Sequence, residues 1–231
     1  MNDILQDLAA SPLFENVRPE ALEAARQVAI VRNFSAGDVM LGQEADGETL
    51  YLLASGAVTV ERSSITGQER VLNYLYAPAL IGEIAVVLDG QRSATVRCVT
   101  DVRALMFYRD PLRSVIDRHP QVLWNLARVL GQRVRDLNDE LLIVTFSSTE
   151  ACVAYALYSL YRQRQHARLE NAAVLEMSHQ ELANRSGNSR ESVSRALRKF
   201  EAAGLIRSRA RRLEIMNVEG LEAVMYGLDD D

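Results

Sequence analysis

The chain has 231 residues, a net charge of −5, and 48% hydrophobic and 25% charged residues, as in a soluble globular protein of one large or two ordinary domains. It has no run of about 18 apolar residues, and its N-terminus lacks a basic stretch followed by an apolar core, so neither a membrane span nor a signal peptide is predicted. Cys98 and Cys152 lack CxxC spacing, which favours reduced thiols in a cytoplasmic protein, with a disulfide as the alternative.

The first half of the chain changes from helical to β patterning. Residues 1–30 are predicted to be helical, with a second helix that begins at Pro19 and ends near Arg32. From Asn33 to about Phe107, short apolar runs alternate with Gly, Asp and Pro at a spacing of roughly 8–12 residues, which is typical of a β sandwich or barrel. Because no helix-length segment separates the runs, we predict an antiparallel jelly roll.

Residues 82–96 carry the chemistry of the β region. Gly82 and Glu83 begin a short helical segment after a β run, and exposed amides at a helix N-terminus favour an anion. Arg92 and Ser93 open the next strand, where a guanidinium and a hydroxyl can hold a phosphate. The Glu83 carboxylate can accept hydrogen bonds from ribose hydroxyls. A surface ion pair between Arg92 and Glu83 is the alternative explanation of the same pattern.

A long helix is predicted to follow, within the helical region from Asp110 to about Phe146. Pro120 suits the first turn of a helix. Beyond it, apolar residues recur at alternating spacings of four and three, which favours a two-stranded coiled coil and therefore a symmetric homodimer. A helix packed in its own domain is the alternative. The repeating residues are Leu123, Ala127, Leu130, Val134, Leu137, Leu141 and Val144.

The C-terminal region is predicted to form two short helices around a tight turn. The turn is Ser186-Gly187-Asn188, in which Gly and Asn tolerate a left-handed backbone, and Ser189 is a good cap for the second helix. Helix, glycine-containing turn and helix is the helix-turn-helix pattern, whose second helix enters the major groove of DNA. Its predicted buried face consists of Val193, Ala196, Leu197 and Phe200. Its predicted outward residues are Arg190, Glu191, Ser194, Arg195 and Arg198.

The charge distribution supports this interpretation. Residues 177–212 contain nine Arg and Lys against three Glu, a net charge of +6, which leaves −11 for the rest of the chain. A basic module suits a phosphate-binding surface because its cations release counterions from the duplex. Residues 205–207 and 212–215 would pair as a basic wing. An arginine-rich solvated helix face is the alternative.

The chain resembles the cyclic-AMP receptor protein (catabolite activator)/fumarate-nitrate regulator family of bacterial transcription regulators. The resemblance lies in the order of its parts, which are the jelly roll, the GE…RSA segment, the heptad helix, the SRExVSR helix and the wing. The resemblance covers nearly the whole chain. It implies an α+β fold with an effector-sensing jelly-roll domain over residues 1–119, a dimerisation helix and hinge over 120–146, and a winged helix-turn-helix domain over 147–231. It also implies that the chain is a DNA-binding regulator and not an enzyme. Cyclic AMP would be its effector, and no metal would be needed.

The resemblance also implies a ligand site. Gly82 and Glu83 would hold the ribose 2′-hydroxyl, and Arg92, Ser93 and the Ala94 amide would hold the cyclic phosphate. A Thr-Ser pair that contacts the adenine in cyclic-AMP receptors falls here on Leu137 and Asn138, of which only Asn138 can form hydrogen bonds with the base. The segment before Arg92 is also one residue shorter than in well-known members. Both departures concern base selectivity, while the phosphate-binding residues match.

The matching DNA-reading residues are Arg190, Glu191 and Arg195. Arginine donates two hydrogen bonds to guanine and glutamate accepts from cytosine, so the set suits the family's palindromic TGTGA-like half-sites, about 34 Å apart on the duplex. Gln180, Ser189 and the wing arginines would contact phosphates. RNA polymerase is the further partner that the resemblance implies.

Other functions remain as alternatives. A relative of this family can bind DNA without an effector or respond to another one. An iron–sulfur cluster would need about four cysteines, and the chain has two. A haem ligand stays open among His119, His166 and His179, none of which lies in the predicted β domain. A jelly-roll metalloenzyme would need histidines in the barrel, and a cyclic-nucleotide regulatory subunit without DNA binding would lack the basic module.

Overall fold

The computed structural model describes residues 2–63, 69–146 and 148–227. The chain forms two compact units, one of Met1–Gln68 and Asn73–Val134, the other of Glu69–Leu72 and Arg135–Asp231. The first part of the chain forms α1 (Asn2–Ala10), a 3₁₀ turn (Pro12–Phe14), α2 (Pro19–Val28), β1 (Ile30–Phe34), β2 (Val39–Leu41), β3 (Thr49–Ser55), β4 (Ala57–Ser63), β5 (Glu69–Tyr76), β6 (Ala79–Ile81), α3 (Glu83–Leu88), β7 (Thr95–Cys98), β8 (Val102–Tyr108), α4 (Arg109–Arg118) and α5 (Pro120–Phe146). The remainder forms α6 (Thr149–His166), β9 (Val174–Glu176), α7 (His179–Ser186), α8 (Arg190–Ala202), β10 (Ile206–Arg209), β11 (Arg212–Ile215) and α9 (Val218–Tyr226).

Two four-stranded sheets build the β region, in the orders β1-β8-β3-β6 and β2-β7-β4-β5. The strand pairs β1–β8, β3–β8, β3–β6, β2–β7 and β4–β7 are all antiparallel. The predicted α+β fold with an antiparallel β domain, a long helix and a C-terminal helix-turn-helix is therefore confirmed.

Strand β3 is buried on both faces, so neither side of it is exposed to solvent. Leu50 and Leu52 pack into a cluster with residues of the helices and the 3₁₀ turn, such as Phe14 and Leu112. The alternate residues, such as Leu53, pack into a second cluster with Val58 and Val96. Helices therefore cover the outer face of this sheet, and the inner face forms the core of the sandwich.

The boundary between α2 and β1 lies earlier than predicted. Helix α2 ends at Val28, and β1 begins at Ile30, where its backbone pairs with Met106 of β8. The prediction of a helix to near Arg32 and of strands from Asn33 was therefore wrong. The local apolar pattern fits either structure, and pairing with a distant strand decides between them.

Helix α5 has a buried face and an exposed apolar face within this single chain. Val122 and Leu126 join the core of the first unit. The side chains of Leu123, Val134, Leu137 and Leu141 are 53%, 58%, 64% and 64% exposed. These members of the predicted heptad seam are therefore not covered by their own chain. Leu130, another member, packs partly against the core of the first unit, whereas Ala127 is exposed. The side chain of Val144, the last member, lies outside the described residues.

The second unit follows the predicted order and adds one helix. Ser148 caps α6 by accepting a hydrogen bond from the Ala151 amide, as predicted. Strand β9 joins the wing hairpin in the antiparallel order β10-β11-β9. Helix α9 was missed, although the Asn217 side chain accepts from the Gly220 amide as a cap and Leu221 and Met225 follow at helical spacing.

Neither a membrane span nor a metal cluster is found in the part of the chain that the structure describes. None of its helices combines the length and apolar character that crossing a bilayer requires. No group of three or more His, Cys, Asp or Glu there is arranged to hold a metal. Cys98 and Cys152 are both buried free thiols, and burial raises the pKa of each.

We expect Phe107→Ala to lower the free energy of unfolding by about 3–5 kcal/mol, because it removes a fully buried ring that packs on Phe14. Urea denaturation followed by circular dichroism measures this change. The control is Val99→Ala, whose side chain is 48% exposed and should change stability by less than about 0.5 kcal/mol. Equal losses in the two variants would contradict the placement of Phe107 in the core.

Candidate functional site

Gly82 and Arg92 meet at the N-terminus of α3. The Arg92 guanidinium donates from Nη1 to the Gly82 carbonyl at 2.9 Å, and from Nη2 to the carbonyl and hydroxyl oxygens of Thr49 at 2.7 and 2.9 Å. Gly82 has a φ of +80°, and a Cβ there would lie 2.6 Å from Arg92 Nη1. Glycine is therefore required twice, for the left-handed backbone and for the approach of the guanidinium.

Arg92 is a buried cation held by neutral groups. Its side chain is 4% exposed, and burial lowers its pKa, while the Tyr51 hydroxyl and the Glu83 carboxylate act in the opposite direction. Among the residues described, no carboxylate lies within ion-pair distance of it. A buried charge without a counterion is costly, so this position favours an anionic ligand.

Glu83 is also buried, and its partner is Arg133 rather than Arg92. Arg133 Nη1 of α5 donates to Glu83 Oε1, and Nη2 donates to the Leu80 carbonyl at 2.5 Å. The alternative of a surface ion pair between Arg92 and Glu83 is therefore wrong. Arg133 had no predicted role, because nothing in the local sequence pattern indicates which distant arginine meets a buried glutamate.

The remaining predicted ligand residues are Ser93, Ala94 and Asn138. Ser93 is exposed and Ala94 is buried, and both lie between Arg92 and the start of β7. Asn138 is exposed and lies on the part of α5 that belongs to the second compact unit. The structure thus brings Gly82, Glu83 and Arg92 together, while the role of Asn138 stays a prediction.

The helix-turn-helix is built by local capping, as the sequence predicted. Gly187 ends α7 with a φ of +69°, and the Ser189 hydroxyl accepts from the Ser192 amide at the start of α8. The predicted buried face of α8 is buried. A reciprocal cap was missed: the Ser178 hydroxyl accepts from the Glu181 amide, and Glu181 Oε2 accepts from the Ser178 amide at 2.6 Å.

The outward face of α8 presents cations that carry no ion pair among the residues described. Arg190, Glu191, Arg195 and Arg198 are exposed, and with Ser194 they line a shallow open depression. Arg195 donates to the Ser192 hydroxyl at 3.1 Å, and Arg198 donates to the Ser194 carbonyl at 3.3 Å. Their positive charge is therefore available to phosphates or base edges.

Three further residues predicted to contact DNA form local hydrogen bonds. Ser194 is half-buried, and its hydroxyl lies 2.9 Å from Nδ1 of His179. Gln180 is exposed, and its amide donates to Asn184 Oδ1 at 2.9 Å. Ser189 uses its hydroxyl as the cap of α8. DNA contacts by these three residues stay predictions.

The basic module is smaller than the count of cations implied. Arg185, counted in the surface charge, is 4% exposed and donates to Glu140 at 2.8 Å. Three further cations form ion pairs: Lys199 with Glu150 at 2.5 Å, Arg207 with Glu214 at 3.5 Å, and Arg211 with Glu181 at 3.1 Å. Within residues 177–212, the exposed cations without an ion pair to the described part of the chain are Arg190, Arg195, Arg198, Arg209 and Arg212.

Arg209 and Arg212 face each other at the end of the wing hairpin. The structure places them directly opposite in the β10–β11 pair, and both side chains are exposed. Like charges directly opposite on a sheet repel each other. An anion between them would remove this repulsion, so the wing end favours a phosphate.

Two family models match the chain, a cyclic nucleotide-binding domain over residues 31–119 and a Crp-like helix-turn-helix domain over residues 153–224. The chain is 34% identical to the cyclic AMP receptor protein of Thermus thermophilus, over 96% of this chain and 100% of that protein. It is 30% identical to the CRP-like cAMP-activated global transcriptional regulator of Mycobacterium tuberculosis, over 93% of this chain and 96% of that protein.

Solved structures give the same correspondence. The crystal structure of Thermus thermophilus catabolite activator protein matches 94% of this chain and 100% of that chain, with 35% identity and a TM-score of 0.55. The c-di-GMP responsive global regulator CLP of Xanthomonas campestris matches 86% of this chain and 99% of that chain, with 21% identity and a TM-score of 0.72. The second likeness concerns the fold alone.

We expect the stabilisation contributed by Glu181 to disappear in acid. Burial by itself would raise the pKa of Glu181, but hydrogen bonds from Ser178 and the charge and hydrogen bonds of Arg211 outweigh it and lower the pKa. A carboxyl group whose pKa is lower in the folded state stabilises the fold at pH values above its unfolded pKa of about 4.3. This stabilisation is lost as the pH falls through the folded-state pKa.

Urea unfolding of the wild type and of Glu181→Gln at several values between about pH 7 and 3 measures this contribution, because glutamine keeps the cap but not the charge. The difference in unfolding free energy should be largest near neutrality and shrink below about pH 4.3. Glu170→Gln, at an exposed loop residue, is the control. A difference that does not change with pH would refute the ionic contribution of Glu181.

Proposed function

The chain belongs to the CRP/FNR family of transcription regulators, and from this premise we propose that it is a homodimer whose binding to palindromic DNA is gated by cyclic AMP. As a member of this family it carries a cyclic nucleotide-binding domain and a DNA-binding helix-turn-helix, and the family is one of regulators rather than enzymes. The observation that carries the proposal is the buried Arg92, a cation held only by neutral oxygen atoms beside Gly82.

Cyclic AMP is the effector that the relatives favour, as does the chemistry of residues 82–94, here called the cassette. The Arg92 guanidinium, the Ser93 hydroxyl and the Ala94 amide would hold the cyclic phosphate. Glu83 Oε1 receives Arg133, which leaves Oε2 to accept from the ribose hydroxyl. The relatives that are at least 30% identical are named for cyclic AMP. On the base side, Asn138 would contact the adenine, while Leu137 offers no hydrogen bond.

Gating would act through α5. Arg133 joins the cassette to this helix, so a ligand that changes the charge balance around Arg92 and Glu83 also acts on the packing of the helix. A ligand shifts an equilibrium only through its different affinity for two states. The two states would differ in how the dimer helices and the DNA-reading domains are arranged.

The exposed apolar seam of α5 supports the homodimer. Leu123, Val134, Leu137 and Leu141 repeat at heptad spacing and are all more than half exposed in one chain. A second copy would cover them in a two-stranded coiled coil, which removes the apolar side chains from water. Domain boundaries at about residues 119 and 146 belong to the same proposal.

DNA reading would divide between bases and phosphates. Arg190, Glu191 and Arg195 would read base edges in a TGTGA-like half-site, and each half-site would lie about 34 Å from the other. Phosphates would be held by Gln180, Ser189, Arg209 and Arg212. RNA polymerase is the proposed protein partner, and the cytoplasm is the proposed location.

We expect Arg92→Gln to lose binding of cyclic AMP and its effect on DNA affinity, because glutamine is neutral and cannot hold the phosphate as an ion pair. Isothermal calorimetry against cyclic AMP and cyclic GMP measures binding and base selectivity. The matched control is Arg97→Gln on β7, which removes a partly exposed arginine paired with Glu61 and should leave binding unchanged. Equal affinity of the Arg92 variant and the wild type would overturn the assignment.

We expect Arg195→Ala and Arg209→Ala to weaken DNA binding in different ways. Loss of the base contact should cost about 1–3 kcal/mol on the palindrome and relax specificity at one position, whereas loss of the phosphate contact should weaken all duplexes alike and reduce the salt slope by about one. Fluorescence anisotropy with palindromic and scrambled duplexes over a salt series measures both. If the two variants behave identically, the proposed division between bases and phosphates is wrong.

A further inference from the structure

Arg185 is a buried arginine inside the DNA-reading unit. It lies in the last turn of α7, two residues before the Gly187 turn that leads into α8, and its side chain is 4% exposed. Its position removes it from any phosphate contact. Its charge therefore has a role inside the unit rather than on the DNA surface.

The guanidinium of Arg185 connects three helices. Nη1 donates to Glu140 Oε1 of α5 at 2.8 Å, and Nη2 lies 3.4 Å from the Ser159 hydroxyl of α6. The Glu140 side chain is 21% exposed, so the pair is largely withdrawn from water. The reading motif is thus tied to the second half of α5 by one directional ion pair.

The charges of Glu140 and Arg185 also act on the neighbouring Tyr155. Burial, followed by the charge of Glu140, raises its pKa to about 12, while the charge of Arg185 acts in the opposite direction. Its hydroxyl donates to the Asp136 carbonyl at 3.2 Å, which adds a second polar link between α6 and α5. The ion pair and this hydrogen bond both join the second part of α5 to helices of the same unit.

A buried ion pair is weak as a source of stability, because apolar residues of similar volume often stabilise equally well. What an ion pair adds is direction, since hydrogen bonds fix the distance and angle between two helices more closely than apolar contact does. We propose that Glu140 and Arg185 are positioning residues for DNA reading, which fix α7, and through the Gly187 turn α8, in the orientation that base contacts require.

Phosphate contacts tolerate a small rotation of α8, whereas hydrogen bonds to base edges do not. The proposal therefore concerns discrimination between sequences more than total affinity. The measured quantity is the ratio of the affinity for a duplex with TGTGA-like half-sites to the affinity for a scrambled duplex of the same length. Fluorescence anisotropy on the full chain at one fixed salt concentration gives both values.

We expect Glu140→Gln to reduce this ratio about tenfold, comparable to one misread base pair, because Arg185 loses its charged partner. Thermal unfolding of the same sample verifies that the variant is folded. Arg70→Gln is the matched control on the same carboxylate: Arg70 is exposed and 3.8 Å from Glu140, so its removal should change the ratio less than about twofold.

The double variant Glu140→Leu with Arg185→Leu separates position from stability. It removes both charges, so the melting temperature should return toward that of the wild type. Under the proposal, the ratio stays about tenfold low because the directional contact is still missing. If the ratio of the double variant equals that of the wild type, the pair is structural and the proposal is overturned.

The inference rests on the proposed half-site, and the assay distinguishes a failure of the half-site from a failure of the positioning role. A wild-type chain that does not discriminate between the duplexes would contradict the half-site. A wild-type chain that discriminates, with Glu140→Gln discriminating equally well, would contradict the positioning role alone.

Discussion

A buried charge needs an opposite charge or several hydrogen bonds close by, and this requirement organises both compact units. Glu83 is 2% exposed and meets Arg133, while Arg185 is 4% exposed and meets Glu140. Both partners lie on α5, seven residues apart along one helix. The helix that carries the exposed apolar seam therefore also supplies the charges that the cassette and the reading motif depend on.

Arg92 is the exception, and this exception is the basis of the proposed anionic ligand. The other buried arginine in the described part of the chain, Arg185, has a carboxylate, but Arg92 has two carbonyl groups and a hydroxyl. The surrounding oxygen atoms hold the guanidinium in place without neutralising it. A cyclic phosphate, the ligand proposed above, would supply the missing negative charge.

Local chemistry made the reading motif predictable, whereas long-range pairing did not. Gly187 and Ser189 determine the turn and the cap with residues that adjoin them, so the sequence alone placed α7 and α8 correctly. Arg133 and Glu140 act on residues about 50 and 45 positions away, and no spacing rule connects such pairs. For the same reason Arg185 was counted as a surface cation, and the start of β1 was placed three residues late because its partner strand is distant. The roles of Asn138, Gln180 and Ser189 toward ligand and DNA remain predictions.

Lys199, which pairs with Glu150 at 2.5 Å, is the single lysine of the sequence and lies on α8 with a 69% exposed side chain. Amine-directed reagents, such as succinimidyl fluorophores, therefore meet one side-chain amine in this sequence. A dye attached there would report from the helix that reads DNA, without any engineered cysteine. The scarcity of lysine thus makes the native protein suited to site-selective labelling.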